Sequence, residues 1–177
     1  IIIDKLYSDL ICSALEQPKV VVHRDYHSRN LMILDDDSIG VIDFQDAVYG
    51  PITYDLVSLL KDCYVRWPVK LIQERVLNYK QRLEQLGLID DVNDQAFLRW
   101  FDLMGLQRHI KVMGIFSRLA LRDRKVGYLN DLSLVVAYSL EITTLYPETH
   151  EFGYWFKQNI MPHVQKQSWY NDRSGQL

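Results

Sequence analysis

The sequence has little cysteine, no long apolar run and no excess of basic residues. Its two cysteines, Cys12 and Cys63, lack the spacing of a metal-binding motif. They are most simply the reduced thiols of a cytosolic protein, although the sequence alone also permits a disulfide. No apolar stretch approaches the roughly 18 residues that a membrane-spanning helix needs. A net charge of −3 lacks the basic footprint of a general nucleic-acid binder. These absences favour a cytoplasmic protein with neither membrane nor nucleic acid as a partner.

A polar string and a second acidic motif stand out in the first third of the chain. The string His-Arg-Asp-Tyr-His-Ser-Arg-Asn at 23–30 contains Asp25 and Asn30, and Asp43 follows thirteen residues after Asn30. The apolar segments 31–34 and 39–42 predict a β-hairpin turned by an acidic run between them. The polar residues are therefore expected at opposite ends of one small rigid element.

These residue types suit phosphoryl transfer, in which the protein mainly positions groups and neutralises charge. Asp25 can orient or accept the proton of an attacking hydroxyl. Asn30 and Asp43 offer the hard oxygen ligands that Mg²⁺ prefers. Carboxylates gathered in one cleft repel each other, so a bound cation is their natural partner. The pattern predicts a phosphotransferase site that uses Mg²⁺ and a phosphate donor.

The two motifs resemble the H-R-D-x-x-x-x-N catalytic loop and the D-F-G motif of kinases. Two departures separate them from protein kinases: His27 stands where those enzymes carry Lys, and residues 43–45 are Asp-Phe-Gln. Only eleven residues separate Asp43 from Asp55, which leaves no room for an activation segment. The form H-x-D-x-H-x-x-N is similar to that of the aminoglycoside phosphotransferase and choline kinase superfamily, whose members phosphorylate small hydroxyl compounds.

Two longer segments narrow the resemblance. Residues 41–56 and 105–116 resemble bacterial kinases that act on the anomeric hydroxyl of N-acetylmuramate and N-acetylglucosamine in cell-wall recycling. The resemblance implies a cytoplasmic kinase that uses Mg²⁺ and ATP or GTP, with an amino sugar as acceptor. Two alternatives stay open: a kinase of an aminoglycoside, choline or homoserine, and a non-catalytic binding module.

The same resemblance sets expectations for domains. Kinases of this superfamily carry an N-terminal lobe with a Gly-rich loop and a strand Lys that hold the phosphates. Here 24 residues precede Asp25, and the first glycine is Gly40. We expect residues 1–167 to be the C-terminal catalytic lobe, with the nucleotide-binding lobe absent and 168–177 a loose tail. The isolated chain is then expected to be inactive.

Four further residues near the motifs are candidates for the site. His23 is expected to form structural hydrogen bonds, and His27 either supports the catalytic loop or contacts phosphate. Asp46 either supports the metal site or caps a turn. Asp55 precedes an apolar run and is expected to start a helix; the resemblance implies that it braces the catalytic loop.

The rest of the chain is expected to be helical, because apolar residues recur at helical spacing without alternating strands. The predicted fold is mostly α (α+β), the C-terminal lobe of a protein-kinase-like fold with a small β element around residues 20–43. Pro68 is expected to open one helix and Gly87 to end it. Asp94 is expected to cap the next helix.

One helical face could bind the acceptor. Gln107, Lys111, Arg118 and Arg122 fall on one stripe, with Arg108 beside it. Arginine there could hold the lactyl carboxylate of N-acetylmuramate, whereas the alternative is a solvated basic face. Tyr64, Arg66 and Trp67 similarly could form a sugar-stacking platform or belong to the core.

Overall fold

The computed structural model describes residues 1–173, which form helices and four short strands. The helices are α1 Ile2–Glu16, α2 Tyr54–Leu60, α3 Val69–Gln85, α4 Asp94–Asp123, α5 Leu132–Leu145, α6 Pro147–Asn159 and α7 Met161–Val164. The strands are β1 Lys19–Val22, β2 Leu31–Ile33, β3 Ile39–Val41 and β4 Val48–Pro51. The predicted fold class is confirmed, because the chain is mostly helical with small antiparallel β elements, as in the helical lobe of a kinase-like fold. Within this range, no helix has both the length and the apolar character to cross a membrane.

The chain divides into two compact units. The hairpin unit contains residues 13–62 and 67–104, and therefore all four strands with α2 and α3. The C-terminal unit contains residues 1–12, 63–66 and those from 105 onward, with α5, α6 and α7. Helices α1 and α4 each contribute residues to both units.

The strands of the hairpin unit form two antiparallel pairs. β2 pairs with β3 as predicted, with Leu31 opposite Val41. β1 pairs with β4, with Val20 opposite Gly50, so β structure extends beyond the predicted range. A Cβ on Gly50 would lie 2.8 Å from Cγ2 of Val22, closer than two carbon atoms pack. The β1–β4 pair therefore needs glycine at this position.

One apolar core holds the helices of the hairpin unit together. It gathers side chains from α2, α3, the first part of α4 and the segments just before α2 and just after α3, and each of them is at least nine-tenths buried. They are Ile52, Val57, Ile72, Val76, Leu83, Ile89, Phe97, Trp100, Phe101 and Met104. Burial of each large side chain contributes about 1.5–3 kcal/mol, so this cluster holds α2, α3 and the first part of α4 together.

The ends of α3 and α4 test two of the sequence predictions. Gly87 has a φ of 66°, and the N–H groups of Gly87 and Leu88 bond to the carbonyls of Glu84 and Leu83. This Schellman ending confirms that Gly87 terminates α3. The predicted cap at Asp94 is wrong: the Asn93 side chain accepts the N–H of Ala96 at 2.8 Å, because Asn93 stands one residue before the first helical turn.

In the C-terminal unit, α5 is buried along most of its length and α6 packs closely against it. A Cβ on Gly153 would lie 2.5 Å from Oγ1 of Thr143. Ser133 at the start of α5 donates to the carbonyl of Trp169 and accepts the N–H of Asn171. The segment at 169–171 is thus attached to α5, while residues 174–177 of the predicted loose tail lie outside the described part of the chain.

Candidate functional site

The open end of the β2–β3 hairpin brings the two predicted metal ligands together. A 3₁₀ turn, Ser28–Asn30, leads directly into β2. The backbone N–H of Ile42 donates to the carbonyl of Asn30 at 3.1 Å, which closes the hairpin just beyond its last strand pair. Asn30 and Asp43, expected at opposite ends of the element, therefore both flank its open end, with Asn30 opposite Ile42 and Asp43 one residue further along the chain.

Asp25 is held through its backbone and leaves its side chain available. Its carbonyl accepts the N–H of His27 at 3.0 Å and the Asn30 side-chain amide at 2.9 Å. The residue is exposed, and its carboxylate forms no hydrogen bond or ion pair within residues 1–173. An ordered backbone with an available carboxylate is the arrangement that a general base requires.

Asp55 fixes the start of the catalytic loop. It lies in the first turn of α2, and its two carboxylate oxygens accept the backbone N–H groups of His23 at 2.6 Å and Arg24 at 3.0 Å. His23 is buried and bonds through Nε2 to the carbonyl of Ile42 at 2.8 Å. A carbonyl only accepts, so the ring nitrogen is the donor. His23 thereby connects the catalytic loop to the segment that precedes Asp43.

Two residues of the site adopt the left-handed backbone conformation. Arg24 has a φ of 78° and Asp43 a φ of 66°. A non-glycine residue in this region costs about 1–3 kcal/mol, and such residues cluster at functional sites. The residue before each of them is held by hydrogen bonds. His23, before Arg24, bonds to Asp55 and to the carbonyl of Ile42, and Ile42 itself precedes Asp43. The surrounding contacts therefore sustain both conformations.

The side-chain oxygens of Asn30 and Asp43 are of the chemical type that a magnesium ion binds. The Asn30 amide nitrogen donates to Asp25, so its amide oxygen remains an acceptor. One oxygen of Asp43 accepts the Gln45 amide at 2.7 Å, and the other has no partner within residues 1–173. No group of three or more His, Cys, Asp or Glu side chains that could hold a metal exists in this range. Two oxygen ligands completed by phosphate and water are typical of Mg²⁺ rather than of a closed protein site.

The supporting candidates have distinct positions. His27 is partly buried and precedes the 3₁₀ turn, and its side chain does not cap that turn. Asp46 is exposed and lies in the turn closed by the Ala47 N–H and the Phe44 carbonyl. The backbone carbonyl of Asp46 accepts a hydrogen bond of 3.4 Å from the Arg24 guanidinium. Its observed contact therefore involves the backbone rather than the carboxylate.

The predicted acceptor residues belong to the C-terminal unit. Gln107 and Arg108 are partly buried on α4, and Lys111 is exposed. Arg122, further along the stripe, pairs with Asp123 at 2.7 Å, as a solvated face would. Arg66 pairs with Glu141 at 2.6 Å and lies over the Tyr138 ring, which is a packing role of the kind that the core alternative predicted.

Comparison with known proteins gives a family match for the N-terminal part of the chain. Residues 3–90 match the phosphotransferase enzyme family, a range that contains Asp25, Asn30, Asp43 and Asp55. The chain carries a phosphotransferase family domain. It is 49% identical over 144 residues to the N-acetylmuramate/N-acetylglucosamine kinase of Pseudomonas putida, covering 81% of this chain and 42% of that protein.

Other curated relatives carry the same name. The protein of that name from Pseudomonas aeruginosa is 45% identical, with 81% of this chain and 42% of the relative covered. The one from Caulobacter vibrioides is 32% identical, with 80% of this chain and 38% of the relative covered. The chain thus spans about two fifths of the length of these relatives. The predicted acceptor residues Gln107, Arg108 and Lys111 lie outside the range that matches the phosphotransferase family.

Sequence reasoning missed two contacts of this phosphotransferase domain. The buried side chain of Gln17 accepts hydrogen bonds from the N–H and hydroxyl of Thr53, which joins the end of α1 to the start of α2. The second contact is made by Gln45, which departs from the kinase motif and donates a hydrogen bond to the candidate metal ligand Asp43. Glutamine has no distinctive spacing, so no sequence signal marked the first contact. The replacement of the motif glycine by Gln45 was the sequence signal for the second contact.

Proposed function

We propose that this chain is the catalytic lobe of a small-molecule kinase that phosphorylates N-acetylmuramate and N-acetylglucosamine, with the anomeric hydroxyl as the acceptor group. The observation that carries the proposal is that Asn30 and Asp43 both flank the open end of the β2–β3 hairpin, with the Asn30 side chain hydrogen-bonded to the Asp25 carbonyl. The amino sugar is supported by relatives up to 49% identical, which are named N-acetylmuramate/N-acetylglucosamine kinases. ATP or GTP is the proposed donor, and the cytoplasm is the proposed location.

Each residue of the site has one task in this proposal. The Asp25 carboxylate orients the acceptor hydroxyl and receives its proton. The amide oxygen of Asn30 and the carboxylate of Asp43 hold Mg²⁺, which supplies positive charge to the phosphates of the nucleotide when bound. Asp55 and His23 keep the loop in the conformation that presents Asp25. Residues 1–167 would thus supply the base and the metal ligands of the enzyme.

The acceptor is tested by a kinase assay on the full-length polypeptide that contains this chain. N-acetylmuramate, N-acetylglucosamine, choline and kanamycin are compared side by side, each with ATP and with GTP. We expect turnover with the two amino sugars and phosphate on the anomeric oxygen. Turnover with choline or kanamycin instead would replace the sugar with another acceptor class of the same superfamily.

A second assay uses residues 1–177 alone. If the phosphate clamp lies outside this range, the isolated chain should bind ATP weakly and give no measurable turnover. Turnover by the isolated chain would contradict the division into lobes, while leaving the assignment of Asp25, Asn30 and Asp43 in place. Absence of turnover in the full-length polypeptide as well would favour the non-catalytic binding module.

A further inference from the structure

The segment after Asp43 is ordered in a way that brings the Gln45 side chain back onto the candidate metal ligand. Ile42 is held on both sides, because its N–H donates to Asn30 and its carbonyl accepts from His23. A turn closed at 3.0 Å by the Ala47 N–H and the Phe44 carbonyl follows. Gln45 occupies the second position of that turn, so the backbone on both sides of Asp43 is fixed.

The side-chain contact itself has a defined direction. The Gln45 amide lies 2.7 Å from Oδ1 of Asp43. An ionised carboxylate offers only acceptors, so the amide group facing it must be the NH₂ donor. Hydrogen bonds to ionised groups are about twice as strong as neutral ones. Because the turn already holds Gln45 in place, less conformational entropy is lost in forming the bond.

The bond differentiates the two oxygens of Asp43. Oδ1 is engaged by the amide, whereas Oδ2 has no partner within residues 1–173. A donor on one oxygen restrains rotation of the carboxylate and favours coordination through the other. Mg²⁺ demands a near-ideal octahedral geometry and retains several waters, so a restrained, single-oxygen ligand suits it. Partners that orient a metal-binding side chain typically change metal affinity about 10–100-fold when they are removed.

We propose that Gln45 is a positioning residue for the metal site, orienting the Asp43 carboxylate so that one oxygen faces the divalent cation. The proposal rests on the proposed function, since it requires Asp43 to be a metal ligand. It gives a task to the residue that replaces the glycine of the kinase Asp-Phe-Gly motif. Glycine could not supply this donor.

Mn²⁺ binding to the full-length polypeptide in the presence of a non-hydrolysable ATP analogue tests the proposal directly, with free Mn²⁺ quantified by electron paramagnetic resonance. Four proteins are compared: the wild type, Gln45→Leu, Asp43→Asn, and Gln85→Leu as a matched control. Gln85 is an exposed glutamine of α3 whose side chain accepts a hydrogen bond from Arg82. We expect roughly tenfold weaker binding for Gln45→Leu, a larger loss for Asp43→Asn, and wild-type affinity for Gln85→Leu.

Kinetics of the full-length polypeptide give a second readout. Gln45→Leu should raise KM for the Mg-nucleotide, and added Mg²⁺ should restore turnover, with KM for the sugar unchanged. Thermal unfolding checks that each variant folds.

The outcomes separate the two proposals. Wild-type Mn²⁺ affinity in Gln45→Leu, with binding lost in Asp43→Asn, would overturn the role of Gln45 and leave the metal site standing. If the wild-type polypeptide with the analogue binds no Mn²⁺ beyond the amount that the analogue holds by itself, or if Asp43→Asn leaves the affinity unchanged, both proposals fail.

Discussion

Oδ2 of Asp55 lies 2.6 Å from the backbone nitrogen of His23. The other oxygen of the same carboxylate accepts the N–H of Arg24, a residue in the left-handed conformation. Two consecutive N–H groups can point to one carboxylate only if the backbone turns sharply between them. Asp55 therefore compensates the backbone cost at Arg24 and fixes the chain just before Asp25.

Replacement of Asp55 should destabilise the chain. Asp55→Ala removes the acceptor for two partly buried N–H groups, so we expect the free energy of unfolding to fall by about 2–3 kcal/mol. Urea denaturation followed by circular dichroism measures it. Asp90→Ala, which changes an exposed carboxylate in a loop, should remain within about 0.5 kcal/mol of the wild type. Equal stability of the two variants would contradict the bracing role.

Replacements of Asp25 and Asp43 should impair different kinetic parameters of the full-length polypeptide. Asp25→Asn should reduce kcat by about 10²–10⁴-fold with KM for the Mg-nucleotide nearly unchanged, because the proposed base is not a nucleotide ligand. Asp43→Asn should also weaken binding of the Mg-nucleotide. Steady-state kinetics at varied nucleotide concentration distinguish them. Near wild-type turnover in Asp25→Asn would show that the catalytic assignment is wrong.

The basic residues of α4 should discriminate between the two sugars if they bind the acceptor. N-acetylmuramate has a lactyl carboxylate that N-acetylglucosamine lacks. Arg108→Ala or Lys111→Ala should therefore raise KM for N-acetylmuramate more, by about ten- to a hundredfold for one charge-assisted contact. Arg75→Ala, on the exposed face of α3, serves as the control. Equal effects on both sugars would show that these basic residues form a solvated face and do not bind the acceptor carboxylate.

The ion pairs of Lys80 predict that the chain loses stability at alkaline pH. Its ammonium lies 2.6 Å from Glu84 and 3.0 Å from Asp94, and these hydrogen bonds, that of Glu84 above all, raise its pKa above 10.5. Because the pKa of Lys80 is higher in the folded than in the unfolded state, its charge stabilises the fold fully below the unfolded-state pKa. This stabilisation is lost as pH rises through the folded-state pKa. The stability difference between wild type and Lys80→Met should therefore shrink above about pH 10.5.

Urea midpoints at several values between pH 8 and 11.5 measure that difference. The pKa of Tyr79 is also raised, by burial and by the charge of Asp55, but Tyr79 titrates in both proteins and its effect cancels. Lys70→Met, at an exposed position of α3, should show no such trend. A constant difference between wild type and Lys80→Met would contradict the assignment.

The contact between α5 and α6 should tolerate no side chain at position 153. An alanine Cβ there would lie 2.5 Å from Oγ1 and 2.6 Å from Cβ of Thr143, so rotation of the Thr143 side chain cannot relieve the clash. We expect Gly153→Ala to cost about 1–3 kcal/mol. Gly114→Ala meets no atom within 4 Å and should stabilise α4 by about 0.5–1 kcal/mol. Thermal and urea unfolding compare the two; equal shifts would contradict the close packing.

The local features of the fold were predictable because short segments determine them. The apolar segments around an acidic turn predicted the β2–β3 hairpin, and Gly87 marked the end of α3. The β1–β4 pair was not predicted, since its partners are about thirty residues apart and β4 contains Gly50 and Pro51, which disfavour strands. The cap was misassigned because Asn93 and Asp94 are adjacent and cap helices equally well.

The candidate site was predictable in its residue types but less so in its connections. Spacing indicated Asp25, Asn30 and Asp43, while the closure of the hairpin that brings the last two together depends on a backbone bond at Ile42. Helical periodicity placed Arg108 and Lys111 near one face of α4. Periodicity defines a face, not its partner, so their role in acceptor binding stays a prediction.

The way in which Asp25 is anchored has a practical consequence. The loop is held at this residue by its peptide carbonyl, which receives both hydrogen bonds, so replacing the carboxylate should leave the loop conformation unchanged. Asp25→Asn would then preserve the groups that bind ligands while lacking the base. Such a variant is suited to trapping an unreacted complex of donor and acceptor for crystallography, in which the acceptor could be identified from its electron density.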